Sequence, residues 1–158
     1  MTIYVDGGCR RNGNVGAIGA AACVFMNRRG PWKSWVKKLP LSNPQPTNQR
    51  AELEAIILAL RQGWEIYLSL DTNPYMHVTI FTDSKYALGC MTQWRQKWLR
   101  NDFTNSAGNE VVNRDLIECA YELDERLANE GSVEYEWVPR ADNQHADAAV
   151  NRMLDQME

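Results

Sequence analysis

Two strand-like apolar runs, residues 2–5 and 77–82, each lead straight into an aspartate: Asp6 in YVDGGC and Asp83 in IFTDSKYAL. Two apolar-periodic helices each begin beside a further acid, Glu52 in TNQRAELEA and Asp147 in NQHADAAVNR. This ordering restricts the fold severely, because a sheet that pairs the two strands can carry all four carboxylates to one place. Like charges gathered so closely repel one another unless cations lie between them. The pattern therefore points to a divalent-metal site.

The intervening segments supply the scaffold. Residues 2–5 and 16–27 are apolar and rich in small or β-branched residues, with Gly7, Gly8, Gly13 and Gly16 between them, which predicts a β-hairpin. Residues 32–39, bounded by Pro31 and Pro40, read as a third strand at or near the sheet edge. Thr47 or Asn48 is placed to cap the clearest helix of the chain, in which Leu53, Ile56, Ile57, Leu60 and Trp64 recur on one face. After the strand at 77–82 come a helix at 84–89, its extension or successor at 92–100, and a polar connection at 101–109. Val112, Leu116, Cys119, Leu123 and Leu127 then mark an amphipathic helix that Gly131 is expected to end. Residues 133–138 form the last strand, Pro139 stops it, and Asp142 or Asn143 caps a final helix running to about Met153. Three strands, a helix, a strand, helices, a strand and a helix predict an α/β fold: a five-stranded mixed sheet, its first three strands an antiparallel meander, flanked by helices.

With 158 residues, 44% of them hydrophobic, the chain suits one compact domain spanning residues 1–158. Its strand-like start at Met1 leaves no room for a signal peptide and no run approaches membrane-spanning length, so an intracellular protein of cytoplasm or nucleus is expected. Cys9, Cys23, Cys90 and Cys119 are far apart, without a CxxC pair, and read as reduced structural thiols. The net charge of -3 gives no simple sign of a nucleic-acid binder. Two divalent cations would bring it to about +1. The basic residues cluster at Arg10 and Arg11, from Arg28 to Lys38, and from Lys85 to Arg100, a pattern compatible with a polyanion.

A site of Asp and Glu without His or Cys favours Mg²⁺ or Mn²⁺ over zinc, because hard cations prefer oxygen ligands. Two such ions about 4 Å apart can activate a water and stabilise the leaving oxygen of a phosphodiester. YVDGG before a hairpin, TNQRAEL opening a helix, FTDS ending a strand, and WVPR followed by HADAAVNR resemble, in the same order, the corresponding stretches of type 1 ribonuclease H. The resemblance runs from about Thr2 to Met153. It implies that Asp6, Glu52, Asp83 and Asp147 are the metal-binding catalytic carboxylates. It further implies an endonuclease that cleaves the RNA strand of RNA–DNA hybrids with two Mg²⁺ ions, Mn²⁺ substituting, to leave 5′-phosphate and 3′-hydroxyl ends. Glu54 lies roughly 200° around the helix from Glu52, so only one of the two can face the site. The family motif selects Glu52.

Substrate contacts follow from the same resemblance. Asn12, Asn48 and Gln49 match residues that touch the hybrid's backbone and 2′-hydroxyls in the minor groove, and Thr47 and Asn113 match holders of a DNA phosphate. WRQKWLR puts Trp94 and Trp98 on one helical face, with Arg95, Lys97 and Arg100 beside them. One reading makes the tryptophans core residues with snorkelling basic neighbours. The other makes the segment, with the loop to Ser106, the basic protrusion that grips the DNA strand, Trp94 on a sugar and Trp98 packed at the base. The sequence departs from the family in two places. Gln45 stands where some members have an arginine, and the loop after the last strand, which in many members carries a histidine, is shortened to a WVPR turn. That turn resembles the branch lacking the histidine, in which Arg140 would contact substrate. His145, two residues before Asp147, points elsewhere on its helix. A monomer acting on hybrids is expected. The alternatives are a weak or silent hybrid-binding module and another nuclease of the same fold.

Overall fold

The computed structural model describes all 158 residues. Five strands, β1 (Thr2–Arg10), β2 (Ile18–Asn27), β3 (Gly30–Lys38), β4 (Met76–Thr82) and β5 (Gly131–Trp137), form one sheet in the order β3-β2-β1-β4-β5. The first three are antiparallel neighbours, while β1–β4 and β4–β5 are parallel. The mixed five-stranded sheet expected from the sequence is the one observed.

Helix α1 (Asn48–Leu68) begins where Thr47 accepts a hydrogen bond from the Arg50 N–H at 3.1 Å, and it lays its apolar stripe against one face of the sheet. Leu53, Ile56 and Leu60 are fully buried there, joined by Ile117, Ala120 and Leu127 of α4 (Arg114–Ala128). The opposite face of β1 and β2 is covered by α5 (Gln144–Met157) through Ala149, Val150 and Leu154, which pack on Ile18, Ala20 and Ala22. Covered on both faces, β2 is buried from Ile18 to Phe25, and its alanines let α5 come close. No helix is long and apolar enough to cross a membrane.

Several boundaries differ from the sequence reading. β1 continues through Asp6, Gly7 and Gly8 to Arg10, so Asp6 lies inside a strand and not after it. The second helical region is split into α2 (Lys85–Met91) and α3 (Arg95–Arg100), because the backbone leaves helical geometry at Thr92 (φ -127°, ψ -75°). Val112 lies outside α4 and is 67% exposed. Gly131 does not end a helix. It is the first residue of β5, where a side-chain methyl would overlap the Met76 carbonyl of β4. Backbone proximity, not turn conformation, demands glycine at this position. Replacing Gly131 with alanine is expected to destabilise the protein by about 2–4 kcal/mol, since strand backbone must shift, whereas Glu134→Ala on exposed β5 surface stays within about 0.5 kcal/mol. Urea midpoints at constant slope measure both.

Candidate active site

Unequal strand lengths create the site. β1 pairs with β2 along its whole length, up to Arg10–Ile18, but with β4 only from Thr2 to Val5. From Asp6 onward one edge of β1 has no strand beside it, and the first turn of α1 packs on the face of β1 at Gly7. The approach is so tight that a methyl at Gly7 would overlap the Ala51 carbonyl and come within 2.5 Å of the Glu52 nitrogen. Glycine in YVDGG is thus what lets Glu52 stand beside Asp6.

Asp83 follows the last residue of β4, and several bonds hold it. Ser84 caps α2 by accepting from the Ala87 N–H at 3.1 Å, and the Trp137 indole donates to the Asp83 carbonyl at 3.1 Å. The Asn143 amide donates to the Asp83 carboxylate at 3.2 Å and to the Val5 carbonyl at 2.8 Å, linking β1, the end of β4 and the start of α5. The sequence offers Asp142 as the better helix cap, with Asn143 as the alternative, and it is Asn143 that the structure puts to use. It occupies that position, but its buried side chain makes no capping bond and serves the acid cluster.

Asp6, Glu52 and Asp83 each offer an oxygen within 4.8 Å of the other two. Asp147, one turn into α5, is outside that trio but close enough for its charge to act on Asp6, and it lines the same cleft of about 500 Å³ with Asp6, Glu52, Asn48, Arg10 and Arg140. Asn151 donates to both the carbonyl and the carboxylate of Asp147, at 3.1 and 3.3 Å. Burial, then the charges of Asp83 and Asp147, push the Asp6 carboxyl far above the ordinary range. Burial and the charges of Asp6 and Asp83 do the same to Glu52, against the opposing pull of the Gly7 N–H and Arg140. One oxygen of Glu52, Oε2, is buried without any hydrogen-bond partner. Three converging carboxylates, two of them resisting ionisation and one with an orphaned oxygen, suit a hard divalent cation. Glu54 is turned away and pairs with Lys37 of β3 at 2.8 Å.

The residues expected to contact substrate fall into two groups around this cleft. In the first, Asn12 accepts from the Asn48 N–H at 2.9 Å, fastening the β1–β2 turn to the start of α1. In the second, the Asn113 amide donates to the Tyr86 hydroxyl at 3.0 Å and reaches the Gln49 carbonyl oxygen at 3.5 Å. Arg50, held on Asp115 at 3.0 and 2.7 Å, donates to Asn113 at 3.3 Å. Gln49, Tyr86, Trp94, Trp98 and Asn105 line a groove of about 350 Å³ beside this group. The two tryptophan rings lie 5.5 Å apart, half-buried, and Trp94 packs so closely on Gly89 that a methyl there would meet its ring at 2.5 Å. Ser106 is exposed in the following loop and does not line the groove, whereas Asn105 does. Arg95, grouped by sequence with the basic flank, instead pairs with Asp124 at 3.0 Å and lies over the Tyr121 ring. Lys97 and Arg100 remain exposed. Gly7, Arg50 and Tyr86 lie within the acid-bearing motifs, but nothing in the sequence alone assigns them, or Asn143, these contacts.

Comparison with known proteins gives the family and the fold. The family model for RNase H matches residues 1–157. A ribonuclease H of Schizosaccharomyces pombe is 36% identical over 96% of this chain and 52% of its own length. One from Acidithiobacillus ferrooxidans is 33% identical over 99% of this chain and 88% of its own. The chain thus spans about half of the yeast relative and most of the bacterial one. The crystal structure of LC11-RNase H1 in complex with an RNA/DNA hybrid superposes with a TM-score of 0.72 at 19% identity, covering 99% and 97% of the two chains, a likeness of fold.

The raised carboxyls carry a definite pH dependence. A folded-state value above the unfolded one, about 4 for these groups, means that the folded protein binds more protons, so stability falls as pH rises from about 4 toward the raised folded values. Glu52→Gln removes part of that loss. In chelator, the variant should melt above the parent at pH 8 and together with it near pH 4, and Mg²⁺ should raise the parent's Tm more than the variant's. A variant that melts below the parent at pH 8 contradicts the repulsion described here.

Proposed function

This chain belongs to the ribonuclease H family, and we propose that it hydrolyses the RNA strand of RNA–DNA hybrids with two Mg²⁺ ions, leaving 5′-phosphate and 3′-hydroxyl ends. The observation that carries the reading is the convergence of Asp6, Glu52 and Asp83 from three separate elements, with Asp147 at the same cleft. Divalent cations held there would supply the electrophilic stabilisation and activated water that phosphodiester hydrolysis needs. Mn²⁺ has the same oxygen preference and can substitute.

The chain's own residues divide the remaining work. Asp6, Glu52, Asp83 and Asp147 serve as ligands, with Asn143 and Trp137 fixing Asp83 and Gly7 admitting Glu52. Arg140, at the cleft rim in the single 3₁₀ turn Arg140–Asp142, is placed to contact a substrate phosphate in the role a histidine loop plays in many relatives. Asn12, Asn48 and Gln49 read 2′-hydroxyls of the RNA strand, the group by which a protein tells RNA from DNA. Thr47 and Asn113 hold a phosphate of the DNA strand, and Trp94, with Trp98 packed at its base and Ser106 in the exit loop, meets a DNA sugar. Residues 1–158 act as one catalytic domain and as a monomer. A silent hybrid-binding module is disfavoured, because repelling buried carboxylates destabilise a fold that makes no use of them.

The test incubates the protein with end-labelled RNA–DNA hybrid, double-stranded RNA, double-stranded DNA and single-stranded RNA, with Mg²⁺, with Mn²⁺ and with chelator. Cutting of the hybrid's RNA strand alone, abolished by chelator and by Asp83→Asn, is expected. Failure to cut the hybrid with either metal defeats the proposal. His145 faces a different cleft from Asp147. His145→Ala should therefore lose less than about tenfold in rate, under about 1.4 kcal/mol, and a loss as large as that of Asp83→Asn contradicts this placement.

A further inference from the structure

One basic segment of the sequence, Arg28 to Lys38, takes no part in the site above. Its strand β3 and the outer side of α5 enclose a second cleft of about 290 Å³, lined by Trp32, Lys33, Ser34, His145, Ala149 and Arg152 among others, and by no acidic residue. Lys33 and Arg152 make no ion pair, in a chain that carries three more acids than bases. By contrast, Lys37 on the same strand is neutralised by Glu54, and Arg10 by Asp155 at 2.8 Å. Arg28 and Arg29 extend the positive charge along the exposed β2–β3 turn.

The cleft also holds an aromatic platform. Trp32 is 44% exposed; Phe25 meets its ring 6.0 Å away and nearly perpendicular, and the Lys33 ammonium lies over one face, 5.1 Å from its centre, which leaves the opposite face for a base. An indole left open to solvent beside unpaired cations and the Ser34 hydroxyl matches the chemistry of a nucleotide unit, base on the ring and phosphate on the charges. α5 is the common wall. Asp147, Val150 and Asn151 face the catalytic cleft, while His145, Ala149 and Arg152 face this one, so the two are separated by about one helix diameter, roughly 10 Å.

We propose that this cleft binds single-stranded nucleic acid, such as an unpaired strand extending from a hybrid seated in the catalytic cleft. The occupant is a strand and not a second duplex, because stacking on Trp32 requires an unpaired base face. Charge complementarity selects a polyanion over a peptide or an apolar ligand. The inference does not depend on the acids being catalytic, since it concerns binding on the other side of α5.

The test is done in chelator, so that no cutting intrudes. A labelled short oligothymidylate, a blunt RNA–DNA hybrid, and the same hybrid with a single-stranded extension are titrated against the parent, Lys33→Glu/Arg152→Glu, and Trp32→Leu. Charge reversal should weaken oligothymidylate binding more than tenfold and flatten its log K against log salt slope by about 1.4, two contacts at about 0.7 each. Trp32→Leu should weaken it more than fivefold without altering the salt slope. The extension should tighten binding of the hybrid to the parent but not to the charge-reversed protein, while affinity for the blunt hybrid stays within twofold. Thymidine monophosphate competing as well as the oligonucleotide would mark a mononucleotide site and overturn the strand reading. Equal losses for blunt hybrid and single strand, or no loss for either, would overturn the proposal; circular dichroism of both variants separates these results from misfolding.

Discussion

Everything at the candidate site depends on the backbone contact between Gly7 of β1 and the first turn of α1. β1 outruns its parallel neighbour β4, leaving an edge open beyond Val5, and the start of α1 can lie against the face of the strand there only because Gly7 lacks a side chain. Glu52 reaches Asp6 by that close approach. Asp83 arrives from the end of β4 on the same side, and Asn143 ties the two strands to the start of α5. Four elements distant in sequence are thereby locked around one cleft by hydrogen bonds and van der Waals contact, before any cation contributes.

Their convergence sets electrostatics against packing. Burial and mutual repulsion hold Asp6 and Glu52 toward their neutral forms, while the surrounding core of α1, α4 and the sheet keeps them in place. A fold that retains such a cluster tolerates a local loss of stability, which cation binding can offset. Away from the cluster, some cations are neutralised locally, as in Arg50–Asp115 and Arg95–Asp124. The cleft bounded by Trp32, Lys33 and Arg152 differs because two unpaired cations there share one wall-to-wall space with an exposed indole.

Much of this was legible in the sequence because periodicity and capping act locally. The stripe of α1 and its Thr47 cap, the alternation of strands and helices, and the order of the acid-bearing motifs all reflect neighbours in the chain. The sequence misleads where a distant backbone decides. Gly131 looks like a helix stop until β4 is placed against it, and Arg95 looks like a basic surface residue until Asp124 and Tyr121 are brought beneath it. Val112 fits an apolar stripe by spacing, but lies before the first turn of α4. Asn143 is indistinguishable from an ordinary cap in sequence, since its partners are Val5 and Asp83.

By itself the sequence determined the inventory: a mixed α/β sheet, the helices and their buried faces, and a set of carboxylates whose motif contexts name a family. Only the tertiary structure decided how near those acids stand to one another and which residues hold them there. It set Asp6, Glu52 and Asp83 within one ligand sphere and Asp147 beside it, turned Glu54 toward Lys37, and used α5 to divide the catalytic cleft from the basic one. The physical reason is range. Helix and strand formation depend on residues a few positions apart, whereas a pKa, a metal-sized gap or an unpaired charge depends on atoms that only folding brings together.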